Sequence, residues 1–140
     1  MNRHLKVILF VFILGAITSV LLLGAKALTE ERIAANADIK LRSAVLDGFG
    51  ISYTIQNVND IFESEVEIIR SDEHDVIFYV DQDTGAISFA YSGGGVWDTI
   101  SGLLTLESDL ETIQKVAVLA QAETPGLGGV IAEEQYLETF

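Results

Sequence analysis

Cysteine is absent from this chain of 140 residues, proline and tryptophan occur once each, and there are only two histidines. Basic residues are scarce, eight Lys and Arg against twenty-one Asp and Glu. The lack of cysteine excludes disulfides, Cys-ligated iron–sulfur clusters and thiol catalysis. His4 flanks an apolar run, which leaves His74 as the one imidazole for the rest of the chain. His74 lies in the polar stretch Ser71-Asp72-Glu73-His74-Asp75 and reads as a solvated loop histidine. A His-rich metal site or a Ser-His-Asp triad would have to rest on it alone, and neither is assigned. Carboxylates are abundant, but they fall in turn-like runs and on strand faces. No pair is suited to acid–base work, so no catalytic residue is named. Beyond Arg70 the only basic residue is Lys115, against thirteen Asp and Glu. A nucleic-acid partner is excluded, because phosphate affinity needs Lys and Arg. The acidic excess reads as the solubility charge of an exported domain.

One long apolar run is present. Residues 5–23 are interrupted only by Lys6 and the pair Thr18-Ser19, and residues 7–25 carry no charge. As a helix that uncharged stretch is about 28 Å long, close to the hydrocarbon thickness of a bilayer. A core helix of a soluble protein is rarely apolar on every face, so a single membrane span is expected. Ala25-Lys26-Ala27 has the small-x-small form of a signal-peptidase site. The apolar run exceeds the usual h-region of ~7–15 residues, so the segment is expected to be retained. Arg3 and Lys6, with His4, precede the span, whereas Lys26 and Arg32 follow it among Glu30 and Glu31. The purely basic N-terminal flank favours a cytoplasmic N-terminus, which places the rest in the periplasm or outside.

The helix is expected to run on. Residues 27–46 lack Gly and Pro, and Ile33, Ala37, Leu41 and Val45 fall at a spacing of four, with Ala34 and Leu46 widening the stripe. Gly48 and Gly50 should stop it. A short helix is expected after Asn57, carried by Val58, Ile61 and Phe62. Strands follow from Glu65. Residues 76–80 and 86–91 flank Asp81-Gln82-Asp83-Thr84-Gly85, a hairpin loop; residues 100–106 and 112–119 flank a second one. Leu104, Leu106, Val116 and Val118 should share a strand face and look into the core. Residues 132–140 read as a closing helix. The expected class is α+β: a membrane helix continuing as an amphipathic stalk, then an antiparallel sheet with short helices. The expected division is residues 1–27, 28–50 and 51–140.

Two glycine-rich stretches stand out. Gly93-Gly94-Gly95-Val96-Trp97-Asp98 carries the sole tryptophan, and Glu123-Thr124-Pro125-Gly126-Leu127-Gly128-Gly129 the sole proline. Neither is a P-loop or a dinucleotide fingerprint. The first reads either as a flexible link between hairpins or as a backbone surface open to a flat ring beside Trp97; Trp97 taken alone reads as core. The second is a shaped loop leaving a strand.

These two stretches, in this order and behind one membrane-length segment, resemble the FMN-carrying C subunits of sodium-pumping NADH:quinone oxidoreductases (Nqr) and the sister G subunits of Rnf electron-transport complexes. The Gly-x-Trp stretch favours the C subunits. The resemblance implies FMN as cofactor, electron passage through it between membrane-bound partner subunits, and a bacterial inner-membrane location. It places the flavin site at Glu123, Thr124, Pro125, Gly126, Leu127 and Gly128, with Gly95 and Trp97 closing the pocket. The same resemblance implies a Ser-Gly-Ala-Thr-like motif beyond Phe140, whose threonine esterifies the FMN phosphate. Ser92-Gly93-Gly94-Gly95 lies upstream and has no threonine, so a truncated FMN-binding domain is expected, with no covalent FMN and at most weak reversible binding. A truncation, a split gene and a degenerate paralogue would all look like this. The alternative function is a non-redox structural or assembly subunit of such a complex.

Overall fold

The computed structural model describes residues 2–71, 76–137 and 139. His74 therefore lies outside the described residues, as do Glu138 and Phe140 of the expected closing helix. The chain divides into two compact units, residues up to Ala37 and residues from Asp38 on.

The first unit is helix. Helix α1 (Arg3–Phe49) begins in it, and its apolar residues from Leu5 to Leu23 are exposed all round. This helix is long and apolar enough to cross a membrane. Two threonine hydroxyls are turned back onto the helix backbone: Thr18 Oγ1 donates to the Leu14 carbonyl at 3.0 Å, and Thr29 Oγ1 to that of Ala25 at 2.9 Å. No break separates the span from the following stretch, as the lack of Gly and Pro there leads one to expect. Of the expected amphipathic stripe, Ile33, Ala34 and Ala37 are exposed.

In the second unit the same stripe is covered: Leu41 is half-buried, and Val45 and Leu46 are fully buried. The helix ends in a Schellman arrangement, with Ile51 N–H on the Leu46 carbonyl at 2.9 Å and Gly50 N–H on that of Asp47 at 3.2 Å. Gly50, at φ +73°, supplies the left-handed residue this ending requires. Gly48 has a different part from the one its sequence position suggested. It lies inside the helix, where a Cβ would overlap the Thr105 hydroxyl. Its role is close approach of helix to sheet.

Helix α2 (Val58–Glu65) and strands β1 (Val66–Ser71), β2 (Val76–Asp81), β3 (Ile87–Gly94), β4 (Thr99–Leu106) and β5 (Ile113–Ala120) follow. The strands form one antiparallel sheet in sequence order. Both expected hairpins are present. The first is turned by Asp81, whose buried carboxylate accepts from Asp83 N–H and the Thr84 hydroxyl. The core is the layer between the helices and one sheet face: Val45, Leu46, Phe49, Val58, Phe62, Val66, Tyr79, Ala86 and Leu103. Phe62 meets Tyr79 edge-on at 5.9 Å, and the Arg42 guanidinium lies 5.0 Å above the Phe62 ring. Arg42 is fixed there by Asp38 at 3.0 Å and Glu63 at 3.2 Å.

The strand face expected to be buried is the other one. Leu104 pairs with Val116 and Gly102 with Val118, so these residues do share a face. That face is half-exposed, whereas Leu103 and Thr105 are 1 % exposed beneath the helices. Strand β4 is apolar on both sides, so alternation alone does not choose between them. After β5, a 3₁₀ turn (Gly128–Ala132) precedes the short helix α3 (Glu134–Leu137), in place of one helix from 132 onward.

Candidate functional site

The two glycine-rich stretches meet. Gly93 and Gly94 are not a link between hairpins: they pair with Ile100 and Thr99 as the last rungs of the β3–β4 ladder. Residues 95–98 form the hairpin loop, closed by Gly95 N–H on the Asp98 carbonyl at 2.9 Å. The loop presents its apolar side chains outward, with Val96 83 % and Trp97 71 % exposed. Trp97 is therefore not part of the core.

The second stretch leaves β5, which lies next to β4, so both loops emerge at the same end of the sheet. Residues 124–127 make a turn in which Leu127 N–H donates to the Thr124 carbonyl at 3.1 Å. Pro125 at the second position and Gly126 at the third, with φ +75°, fit the residue demands of a type II turn. Gly129 N–H adds a second bond to the same carbonyl at 3.0 Å. The place of a Cβ at Gly126 is open space, and Leu127 beside it is 77 % exposed.

Glu123 joins the two loops. Its residue is 8 % exposed, and Oε1 accepts from Val96 N–H at 2.7 Å and Trp97 N–H at 3.2 Å. Its own N–H donates to Gln121 Oε1 at 2.5 Å. The carboxylate occupies room that two glycines leave. A Cβ at Gly95 would overlap Oε1, and one at Gly128 would stand 2.9 Å from Oε2. The sequence pointed to Gly95, Glu123 and Gly128 as parts of a site without indicating that they form one interlocked unit. Nothing in it singled out Gln121, whose spacing two residues before Glu123 is the only available signal.

An aromatic side chain of β3 crosses the neighbouring strands. The Tyr91 hydroxyl reaches the Ala117 carbonyl at 3.5 Å and fills the place of a side chain at Gly102. Burial raises its pKa above the ordinary tyrosine value. The tight turn at Asp109 lies at the opposite end of β4. There the Thr112 hydroxyl and the amides of Thr112 and Glu111 lower the Asp109 pKa. A separate open groove of 530 Å³ follows α1, lined by Asp47, Gly50, Ile51 and residues 52–55. Burial also raises the pKa of Tyr53 there, despite a hydrogen bond from Ser43.

The arrangement suits one face of a flat, apolar ring: an open backbone turn at Gly126, aliphatic cover from Leu127, the Thr124 hydroxyl, and an indole on a restrained loop. It suits a phosphate poorly. Lys115 is the only basic residue between 95 and 138.

Residues 95–138 match the FMN-binding domain family. The chain is 44% identical over 55 residues to the C subunit of the Na(+)-translocating NADH-quinone reductase of Chlamydia caviae, covering 39% of this chain and 17% of that protein. It is 31% identical over 71 residues to the corresponding protein of Pseudomonas aeruginosa, covering 49% and 27%. The aligned segments thus span 17% and 27% of these relatives' own length. The crystal structure of the C subunit of the Na(+)-translocating NADH-quinone reductase from Parabacteroides distasonis superposes with a TM-score of 0.63 at 20% identity, covering 74% of this chain and 64% of that one, and shows the same fold. The resemblance to the C subunits read from the sequence is borne out by the sequence matches and the shared fold.

Proposed function

We propose that this chain is a membrane-anchored electron-transfer subunit of an Nqr-type, sodium-translocating NADH:quinone oxidoreductase, and that it takes the FMN ring on its two joined loops. The observation that carries the reading is the convergence of the Trp97 and Gly126 loops through Glu123, inside the segment that matches an FMN-binding domain. FMN, when bound, supplies a carrier able to accept and pass on electrons. The chain's own residues bind and shield. Gly126 gives close backbone approach, Leu127 and Trp97 cover the ring, Thr124 offers a hydroxyl to its polar edge, and Glu123 and Pro125 fix the loop. Gly95 and Gly128 serve by making room for Glu123.

The partners are the other membrane subunits of such a complex, with the bilayer around residues 7–25. Arg3 and Lys6 support a cytoplasmic N-terminus, with the sheet in the periplasm or outside. The division at residues 27 and 50 belongs to the same reading. One observation favours a second reading, a structural subunit without redox work. The acidic residues around the loops leave a flavin phosphate with no cationic cluster.

Mild-detergent capture of the tagged chain from membranes of its own cells separates the proposal from its rivals. Co-capture of Na(+)-translocating oxidoreductase subunits is expected. Recovery of the chain alone would contradict the assembly. Co-capture with the complex's electron transfer unaltered by removal of this chain would leave only the structural role.

A further inference from the structure

Of the polar groups at the loops, one is buried and does two tasks. The Glu123 carboxylate is a charged group with no cationic partner among its described contacts. It is stabilised by two backbone N–H donors from the Trp97 loop. A carboxylate held by amides in this way is strongly bonded and poorly replaceable by water. The two bonds run from one loop to the other, 26 and 27 residues apart in the chain. The main-chain bond Gly95 N–H to Asp98 carbonyl closes the Trp97 loop on itself, but it does not tie that loop to its neighbour.

We propose that Glu123 is a positioning residue, a latch that holds the Trp97 loop against the Gly126 loop before any ligand arrives. A Cβ at Gly128 would press on Glu123, and one at Gly95 on both Glu123 Oε1 and the Asp98 carbonyl, so the space at these two glycines is taken by the latch and its loop rather than by a ligand. The ring-binding roles then separate. Gly126, with open space at its missing Cβ, faces a ligand; Gly95 and Gly128 face Glu123. Trp97 is kept on a loop fixed at its backbone while its indole is exposed, the arrangement of a wall rather than of a mobile flap. Binding then has less ordering entropy to overcome, which is how preorganisation strengthens a weak site. The consequence for flavin rests on the function proposed above; the latch itself does not.

The test uses the full chain in detergent micelles, with hydrogen exchange read at the Val96 and Trp97 amides. Because Trp97 is the only tryptophan, its emission anisotropy reports the same loop. Glu123→Ala should speed exchange at both amides about ten- to a hundredfold, the change expected on losing charge-assisted bonds. It should also lower the anisotropy, while amides at the β3 centre keep their protection. Glu123→Gln, which retains an acceptor oxygen, should restore most of the protection. Gly128→Ala, which keeps the carboxylate but presses a methyl against Glu123, should reproduce the local loosening and serves if Glu123→Ala does not fold. Unchanged exchange at Val96 and Trp97 in Glu123→Ala overturns the latch, and so does an equal loss across the whole sheet. A titration with free FMN then reads the positioning role: affinity should fall at least about tenfold in Glu123→Ala. A loosened loop with unchanged affinity overturns that role. A loosened loop with no FMN binding to the wild-type chain leaves the latch standing and refutes the flavin reading instead.

Discussion

Gly48 shows how one missing methyl group sets the distance between two layers. It sits inside α1, and Thr105, in the space its Cβ would need, hydrogen-bonds Ser88 at 3.2 Å in the buried sheet centre. Gly48→Ala gains helix propensity of about 1 kcal/mol but overpacks a tight contact at a cost of about 1–3 kcal/mol. A net loss in chemical denaturation is expected, partly recovered in the double variant with Thr105→Ala. A stabilised single variant would show that helix and sheet do not meet at this point. The tyrosines make a second prediction at this scale. Burial raises the pKa of Tyr53, Tyr79 and Tyr91; for Tyr79 the nearby Asp38 adds to the effect. The folded state therefore holds these protons more tightly than the unfolded one. The contribution is fully present below the ordinary tyrosine value of about 10 and is lost as pH rises through the raised folded values. Thermal unfolding midpoints should fall above pH ~10, and phenolate absorbance should appear later in folded than in urea-unfolded protein. Coincident titration curves would contradict the burial. At residue scale the sequence identified Glu123 only through its motif. A glutamate in a loop reads as solvated, and nothing local reveals that its partners lie 26 and 27 residues upstream.

Strand β4 shows what patterning reveals and what it does not. The hairpins were legible because their turns are built locally, from Asp81 to Gly85 and around Asp109. The faces were not. Leu103, Leu104 and Leu106 place apolar side chains on both sides of one strand, and only the packing of α1 decides which side is dry. Leu103→Ala should cost about 2–5 kcal/mol, as for a fully buried leucine. Leu104→Ala, on the half-exposed face beside Phe89 and Val116, should cost less than half of that in the same denaturation experiment. Equal losses would mean that the second face is covered as well. Helix α1 was legible for the opposite reason: an apolar run that long has few alternatives in water or lipid. Its unbroken length past Thr29 was legible too, in the absence of Gly and Pro. Its end was assigned to two glycines, of which Gly50 caps and Gly48 packs. The closing helix begins at Glu134 rather than at Ala132 because the 3₁₀ turn runs through Ala132 and extended Glu133 separates the two.

For the whole molecule, the membrane helix and the acidic sheet unit make separate claims. Reporter fusions after Glu65 test the first. Activity of a periplasmic reporter and silence of a cytoplasmic one are expected, and the reverse pattern would invert the orientation. The second claim is that the joined loops take a flavin ring chiefly through the ring itself, with no cationic cluster beside them for its phosphate. It is tested most directly by titrating the full chain in detergent with FMN and following quenching of flavin and Trp97 emission. The account predicts saturable, reversible quenching that free riboflavin reproduces within a few-fold, because the ring carries the binding and the phosphate does not. Gly126→Val should weaken it by about tenfold or more, equivalent to about 1.4 kcal/mol. No saturation up to ~1 mM FMN, where binding is worth only about 4 kcal/mol, would contradict the account. So would saturable binding indifferent to Gly126.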